Sequence, residues 1–332
     1  MPGTYRAINY ALRPAKAIER RMLCAAFQRL YPFQRTENYR YVGFGSIYFS
    51  DFQIIHRELG IRKMISIERD VSARACFRFN RPYKCISLKF GESGEVLPTL
   101  SSQPRTIFWL DFEDRLNVDV LADVATVSLR ARSGSVIVIS VNAQAEAEPP
   151  GDERRRYEEE TGKSFDLAEH RLRTAETLVG EKLPAGTSGA DLRGQGLAKV
   201  FRNIIDNQIA EHLSIRNMTL AAEDHVCYQQ LFHFRYKDGA QMLTVGGIFY
   251  SEADQPKFAA CDFDTLPFLR NGVEHYDIKV PYLTPKEIRH LNSQLPPTPL
   301  GRLKTPGVPD GHIQRYAEIY RYFPTFSEIF FA

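Results

Sequence analysis

The chain has 332 residues, of which 43% are hydrophobic and 12% aromatic, enough apolar mass for one large domain or two ordinary ones and too much for a disordered protein. Its 43 Lys and Arg against 40 acids give a formal charge of +3, so bulk charge selects no nucleic-acid partner and any basic surface must be local. The five cysteines, Cys24, Cys76, Cys85, Cys227 and Cys261, form no Cys-x-x-Cys pair and read as free thiols in a reducing compartment. No long apolar leader opens the sequence and no run of 18 uncharged apolar residues follows, which argues against secretion and membrane spanning and for a cytoplasmic protein.

In chain order, residues 14–30 place Ile18, Met22, Leu23, Ala26, Phe27 and Leu30 at helical spacing, with Pro14 acceptable in the first turn. The expected amphipathic helix turns Lys16, Arg20, Arg21 and Arg29 outward as a solvated face. From residue 39 short β-rich runs alternate with helical stretches: YRYVGFGS, KMISIER, YKCISLKF, TIFWLDF and SVIVISVNA. That alternation predicts a parallel sheet with helices on both faces, and the last two runs are apolar enough to be central strands. Residues 145–196 are charged and Gly-rich and read as an insertion or mobile cover holding one helix near 166–179; the DERRRYEEE run at 152–160 is expected to be a helix face with internal ion pairs. LAKVFRNIIDNQIAEHL is a core-facing helix, and VCYQQLFHFRYKDGAQMLTVGGIFY is a hairpin turning at Asp238-Gly239. The tail predicts helices at 285–294 and 310–321. The resulting plan is an open α/β Rossmann-like sheet of mostly parallel strands ending in an antiparallel hairpin. It divides into a helical cap over 1–38, an α/β domain over 39–255 and a C-terminal extension over 256–332.

The first strand run leads into Gly43-Phe44-Gly45-Ser46, where glycines let a ligand approach the backbone. The second ends in Glu68, a carboxylate suited to gripping a ribose diol. The third is followed by Gly91-Glu92-Ser93-Gly94-Glu95-Val96-Leu97-Pro98, and the fourth ends in Asp111-Phe112-Glu113-Asp114. In this order, closed by the hairpin, the runs resemble the class I S-adenosylmethionine-dependent methyltransferases, whose sheet has seven strands. The Gly91–Pro98 stretch is similar to the family's Gly-Asp-Ala and Glu-Val-Leu-Pro words, and the likeness covers about two-thirds of the chain. Tyr41 stands where family members commonly carry an acid, and Ile47 or Tyr48 where a third glycine is common.

The resemblance implies S-adenosylmethionine as cofactor, bound by Gly43, Gly45, Ser46, Glu68, Glu92, Ser93 and Asp111, with Glu92 accepting from the adenine amino group. Asp111, Glu113 and Asp114 fall nearest the reactive methyl; Asp111 would position the methionine amino group or a substrate, and Glu113 or Asp114 would take a proton from the attacking atom. One of these acids could instead cap the helix starting near Asn117. Substrate contacts are expected from Arg13, Lys16, Arg20 and Asn142. Arg6, Asn9 and Tyr10 join Arg13, Lys16 and Arg20 in a basic, aromatic-bearing set that could hold a phosphate or a nucleic-acid backbone. Asp111 with Asn142 offers only two ligands for a divalent ion, so no metal site is assigned. His56, His225 and His233 match no zinc or triad spacing.

The leading expectation is therefore a transferase moving a methyl group from S-adenosylmethionine to an acceptor that the sequence does not identify. The acceptor could be a small molecule, a protein side chain or a nucleic acid, and the oligomeric state is open. A second reading is a catalytically silent methyltransferase-like module binding a nucleotide, nucleic acid or protein partner, which needs Glu68 and Glu92 but not Asp111 or Glu113. A third, an NAD-dependent enzyme, accounts for the glycines and Glu68 but not for the Gly91–Pro98 stretch or the hairpin.

Overall fold

Alternating side chains organise the sheet. Ile107 and Trp109 enter one apolar cluster while Phe108 and Leu110 enter the other, and Val136 and Val138 part from Ile137 and Ile139 in the same way. A strand apolar on both faces must be covered on both, which is why helices flank it on either side. The computed structural model describes residues 13–297 and 303–324. Arg6, Asn9, Tyr10, Phe330 and Phe331 lie outside them.

Five strands, β1 (Arg40–Phe44), β2 (Lys63–Glu68), β3 (Ile86–Phe90), β4 (Thr106–Arg115) and β5 (Val136–Asn142), pair in parallel. β6 (Val226–Asp238) and β7 (Ala240–Ser251) form the expected hairpin, turning at Gly239 with φ +94°, and β7 runs antiparallel to β5. The order is β3-β2-β1-β4-β5-β7-β6-β8. The chain steps outward through β2 and β3, then returns to the other side of β1, so the C-terminal ends of β1 and β4 flank a switch point, where open α/β sheets hold ligands. The eighth strand, β8 (Tyr276–Ile278), pairs in parallel with β6 and extends the seven-strand expectation. Its three residues are too few to show alternation.

One face is covered by α1 (Pro14–Gln28), α2 (Ser50–Leu59) and α3 (Arg74–Asn80), through Ile18, Met22, Phe27, Phe52 and Phe77. After the short α4 (Ser93–Val96), the other face is covered by α5 (Val118–Arg130), α7 (Leu167–Val179) and α8 (Gly194–Asn217), while α6 (Gly151–Thr161) adds nothing to that core. The 145–196 insertion thus holds two helices, α7 where a helix is expected near 166–179 and α6 over the run expected to be a helix face at 152–160. α6 lacks an apolar stripe because it is exposed almost throughout, and it ends at Gly162 with φ +65°. In the tail, α9 (Gln255–Ala259) precedes β8. α10 (Pro285–Asn292) opens on a capping box of Thr284 and Glu287, and α11 (Asp310–Ile319) packs Ile313 and Tyr316 against Leu291.

α1 departs most from expectation. Of the face read as solvated, Lys16 is 3% exposed and Arg20 5%, both buried, while Arg21 and Arg29 stay partly exposed. Each buried cation meets a carboxylate brought from elsewhere in the fold, Lys16 meeting Asp111 of β4 and Arg20 meeting Asp51 of α2. Helical spacing sorts apolar from polar positions but does not reveal such partners.

Removing one member of a buried ion pair strands the other, whereas replacing both with apolar residues can be neutral. Arg20→Met is therefore expected to lower the unfolding free energy in urea by about 3–5 kcal/mol, and Arg20→Met with Asp51→Leu to recover most of that loss. Equal destabilisation by the single and double variants would show that the loss does not come from stranding Asp51.

Candidate active site

The C-terminal ends of β1 to β4 open into a cavity of about 310 Å³, within the range of small-molecule sites. Nine of the thirteen residues anticipated from sequence line it: Arg20, Gly45, Ser46, Glu68, Glu92, Ser93, Asp111, Glu113 and Asp114. Gly43, Arg13, Lys16 and Asn142 do not. Gly43 lies within β1, opposite Ser66 and Trp109. Asn142 stands opposite Arg115 rather than Asp111, and its side chain accepts from the Gln144 N–H at 2.9 Å. Arg13 precedes α1, and Lys16 lies behind the cavity wall.

Gly45 is required by close approach. A Cβ there would come within 2.2 Å of Glu68 Oε1 and 2.4 Å of Ser66 Oγ, so only glycine lets the loop after β1 pass the end of β2. Its N–H and the Ser66 hydroxyl, at 2.5 Å, both donate to Glu68. The loop then reaches Phe49, which lines the cavity in the left-handed region at φ +48°, a conformation costing a non-glycine residue about 1–3 kcal/mol and concentrated at functional sites. Tyr41, where the family commonly has an acid, points into the core and packs edge-on against Phe52 at 5.0 Å.

On the opposite wall Phe44 meets Phe112 edge-on at 4.9 Å, and Ile67, Phe77 and Val120 complete the apolar surface. The Ser93 hydroxyl donates to Asp123 of α5, whose carboxyl is pushed up to about 6 by burial. α5 is capped by Asn117, whose Oδ1 accepts from the Val120 N–H at 3.0 Å, so neither Glu113 nor Asp114 serves as its cap. Sequence reading missed Asp51, Phe112, Asp119 and Asp123. Phe112 stood inside a quoted motif, but the others are helix residues that only the packing brings to or behind the cavity.

The lining is strongly acidic, with eight Asp or Glu side chains against two Arg. Among the described residues no group of three or more His, Cys, Asp and Glu has metal-binding geometry. No residue of the 145–196 insertion lines the cavity. Ala175, Val179 and Leu192 bury themselves against the core on the other face of the sheet, and Arg115 pairs with Glu146 at the start of the insertion. The expectation of a cover over the cavity is not met.

Glu68 is 3% exposed, and burial pushes its carboxyl up to about 7, partly offset by the bonds from Ser66 and Gly45. Between the unfolded value of 4.5 and about 7 the folded state binds the extra proton, so this group's stabilisation is complete at low pH and lost as pH rises through 7. Glu68→Gln removes that dependence. Its stability relative to the parent should rise by about 3 kcal/mol between pH 4.5 and 7.5, measured by denaturant titration at each pH. Parallel pH profiles for the two proteins would contradict the assignment.

Residues 8–331 match the model of the family described as "Putative O-methyltransferase". No curated protein matches the sequence. Among solved structures, an amino pentose methyltransferase from Micromonospora echinaspora is similar at 15% identity, over 36% of this chain and 48% of its own, with a TM-score of 0.29. Human N-acetylserotonin methyltransferase in complex with SAM is similar at 10% identity, over 69% of this chain and 51% of its own, with a TM-score of 0.35. The O-methyltransferase TomG from Streptomyces achromogenes is similar at 13%, over 68% and 78%, with a TM-score of 0.34. The chain thus spans about half the length of the first two. No helix among the described residues is long and apolar enough to cross a membrane. With the family match running over nearly its whole length, the chain belongs to the "Putative O-methyltransferase" family.

Proposed function

We propose that this protein binds S-adenosylmethionine in the cavity at the ends of β1 to β4 and transfers its methyl group to an oxygen of an acceptor entering over Asp111. The observation that carries the reading is the charge of the cavity. Eight acids against two Arg suit a ligand bearing a sulfonium and an ammonium group and oppose the pyrophosphate of NAD. Family membership supports both the methyl chemistry and an oxygen acceptor.

When bound, the cofactor supplies a methyl group on a positively charged sulfur, a leaving group that departs as a neutral thioether. Gly45 and Ser46 let it lie against the backbone, with Gly43 supporting the strand beneath. Glu68 accepts from the ribose hydroxyls, Glu92 and Ser93 meet the adenine edge, and Asp111 receives the ammonium. Glu113 or Asp114 would take the proton that the acceptor hydroxyl gives up. Alignment and exclusion of water supply most of the rate in such a displacement, and the Phe44 and Phe112 rings provide an apolar wall. Of the residues expected to hold the acceptor, Arg20 is the one on the cavity wall. Arg13, Lys16 and Asn142 stand behind or beside it. The acidic lining favours a neutral or cationic acceptor, small molecule or protein, over a phosphate-rich one. The free cysteines fit a cytoplasmic setting.

Calorimetric titration tests the proposal. S-adenosylmethionine and S-adenosylhomocysteine are expected to bind at micromolar level and NAD to give no heat, with Glu68→Ala weakening the first two by at least about tenfold. Absence of heat with both adenosyl ligands would overturn it.

A further inference from the structure

Lys16 is a lysine at 3% exposure in an enzyme-like core, and its surroundings explain why it is charged there. Burial alone would push its ammonium down, but Asp111 and Glu19 hold it well above the usual lysine range. Nζ donates to Asp111 Oδ1 at 2.8 Å and to the Tyr236 hydroxyl at 3.1 Å, forms an ion pair with Glu19 Oε2 at 2.8 Å, and sits 4.7 Å from the Trp109 ring centroid. The backbone is equally fixed. Asp238, at the hairpin turn, accepts from the Ala15 N–H at 3.3 Å and the Lys16 N–H at 2.8 Å. Glu19 is tied to Thr244, which bonds Ser140 at 2.8 Å, and Ser140 in turn accepts from Trp109 Nε1 at 3.2 Å.

A cation held this way does not swing out to meet a substrate. Its link to the cavity is Asp111, whose Oδ1 it holds; among the described residues Oδ2 has no bond, and Asp111 lines the cavity. Stability alone does not call for such a group, because well-packed apolar residues commonly do as well as a buried ion pair or better. Together with Arg20 and Asp51, the cluster sets two cations against three carboxyl groups.

We infer that Lys16 is a positioning residue, which fixes Asp111 so that its free oxygen receives the ammonium of the bound adenosyl amino acid; this rests on the proposed cofactor. Lys16 is then part of the ligand site without lining the cavity itself. Arginine would not replace Lys16, since its planar fork does not fit three convergent acceptors.

The test compares two probes, S-adenosylhomocysteine and 5′-methylthioadenosine, which keeps the adenosyl part but lacks the amino acid. Lys16→Met leaves two carboxyl groups buried together without their cation, so Lys16→Met with Glu19→Gln, which removes one of those charges, is titrated alongside it. The expected result is about tenfold weaker binding of S-adenosylhomocysteine by the double variant, with 5′-methylthioadenosine affinity unchanged. Asp111→Asn should show the same selective loss, and adding it to the double variant should weaken binding little further. Equal weakening of both probes would assign Lys16 a structural role only, and unchanged affinity for both would leave it no role in binding; either result overturns the inference. If the parent protein binds neither probe, the methyltransferase reading falls first and the inference with it.

Discussion

The ion pair between Lys16 and Asp111 joins the N-terminal helix to the strand end on which the site is built, 95 residues along the chain. Isolated charges are costly to bury, so each member of this cluster is tolerable only while its partners are in place. α1 supplies Lys16, Glu19 and Arg20, α2 supplies Asp51, β4 supplies Asp111 and the hairpin supplies Tyr236, Asp238 and Thr244. The cluster thus holds helix, sheet and hairpin in one register, and through Arg20, Asp51 and Asp111 it forms part of the cavity wall.

The rest of the site follows from topology. Reversal of strand order beside β1 leaves a crevice between β1 and β4, and parallel pairing brings four strand ends to the same edge. At that edge Gly45 and Glu68 depend on each other, because the glycine's missing side chain makes room for the carboxylate and its N–H bonds to it. Glu68 is held largely out of water, where a hydrogen bond to a ligand hydroxyl is stronger than at an open surface. The acids around it give the cavity a sign of charge that the chain as a whole, at +3, does not have.

What was legible in the sequence was what local pattern encodes. Glycines after β1, an acid ending β2, the Gly91–Pro98 stretch and the acids ending β4 are short-range features in a fixed order, and the fold gathers Gly45, Glu68, Glu92 and Asp111 as that order implies. The Asp238-Gly239 turn announced the hairpin for the same reason. Lys16 and Arg20 were misread as solvated because their partners are remote in sequence, and a polar residue at a helix position looks the same whether it meets water or a buried carboxylate. β8 escaped the reading because three residues carry no period. The insertion suggested a cover by its length and charge, yet Ala175, Val179 and Leu192 commit it to the opposite face of the sheet.

The central claim is that an acidic switch-point cavity, braced from behind by α1, is shaped for a cationic adenosyl amino acid. The most direct measurement is a crystal structure of the protein with S-adenosylhomocysteine. The account predicts the ribose hydroxyls on Glu68, the adenine edge beside Glu92 and Ser93, and the ligand ammonium within hydrogen-bonding distance of Asp111, with Lys16 still on the other oxygen of that carboxylate. A ligand bound elsewhere, or one whose ammonium avoids Asp111, would contradict it.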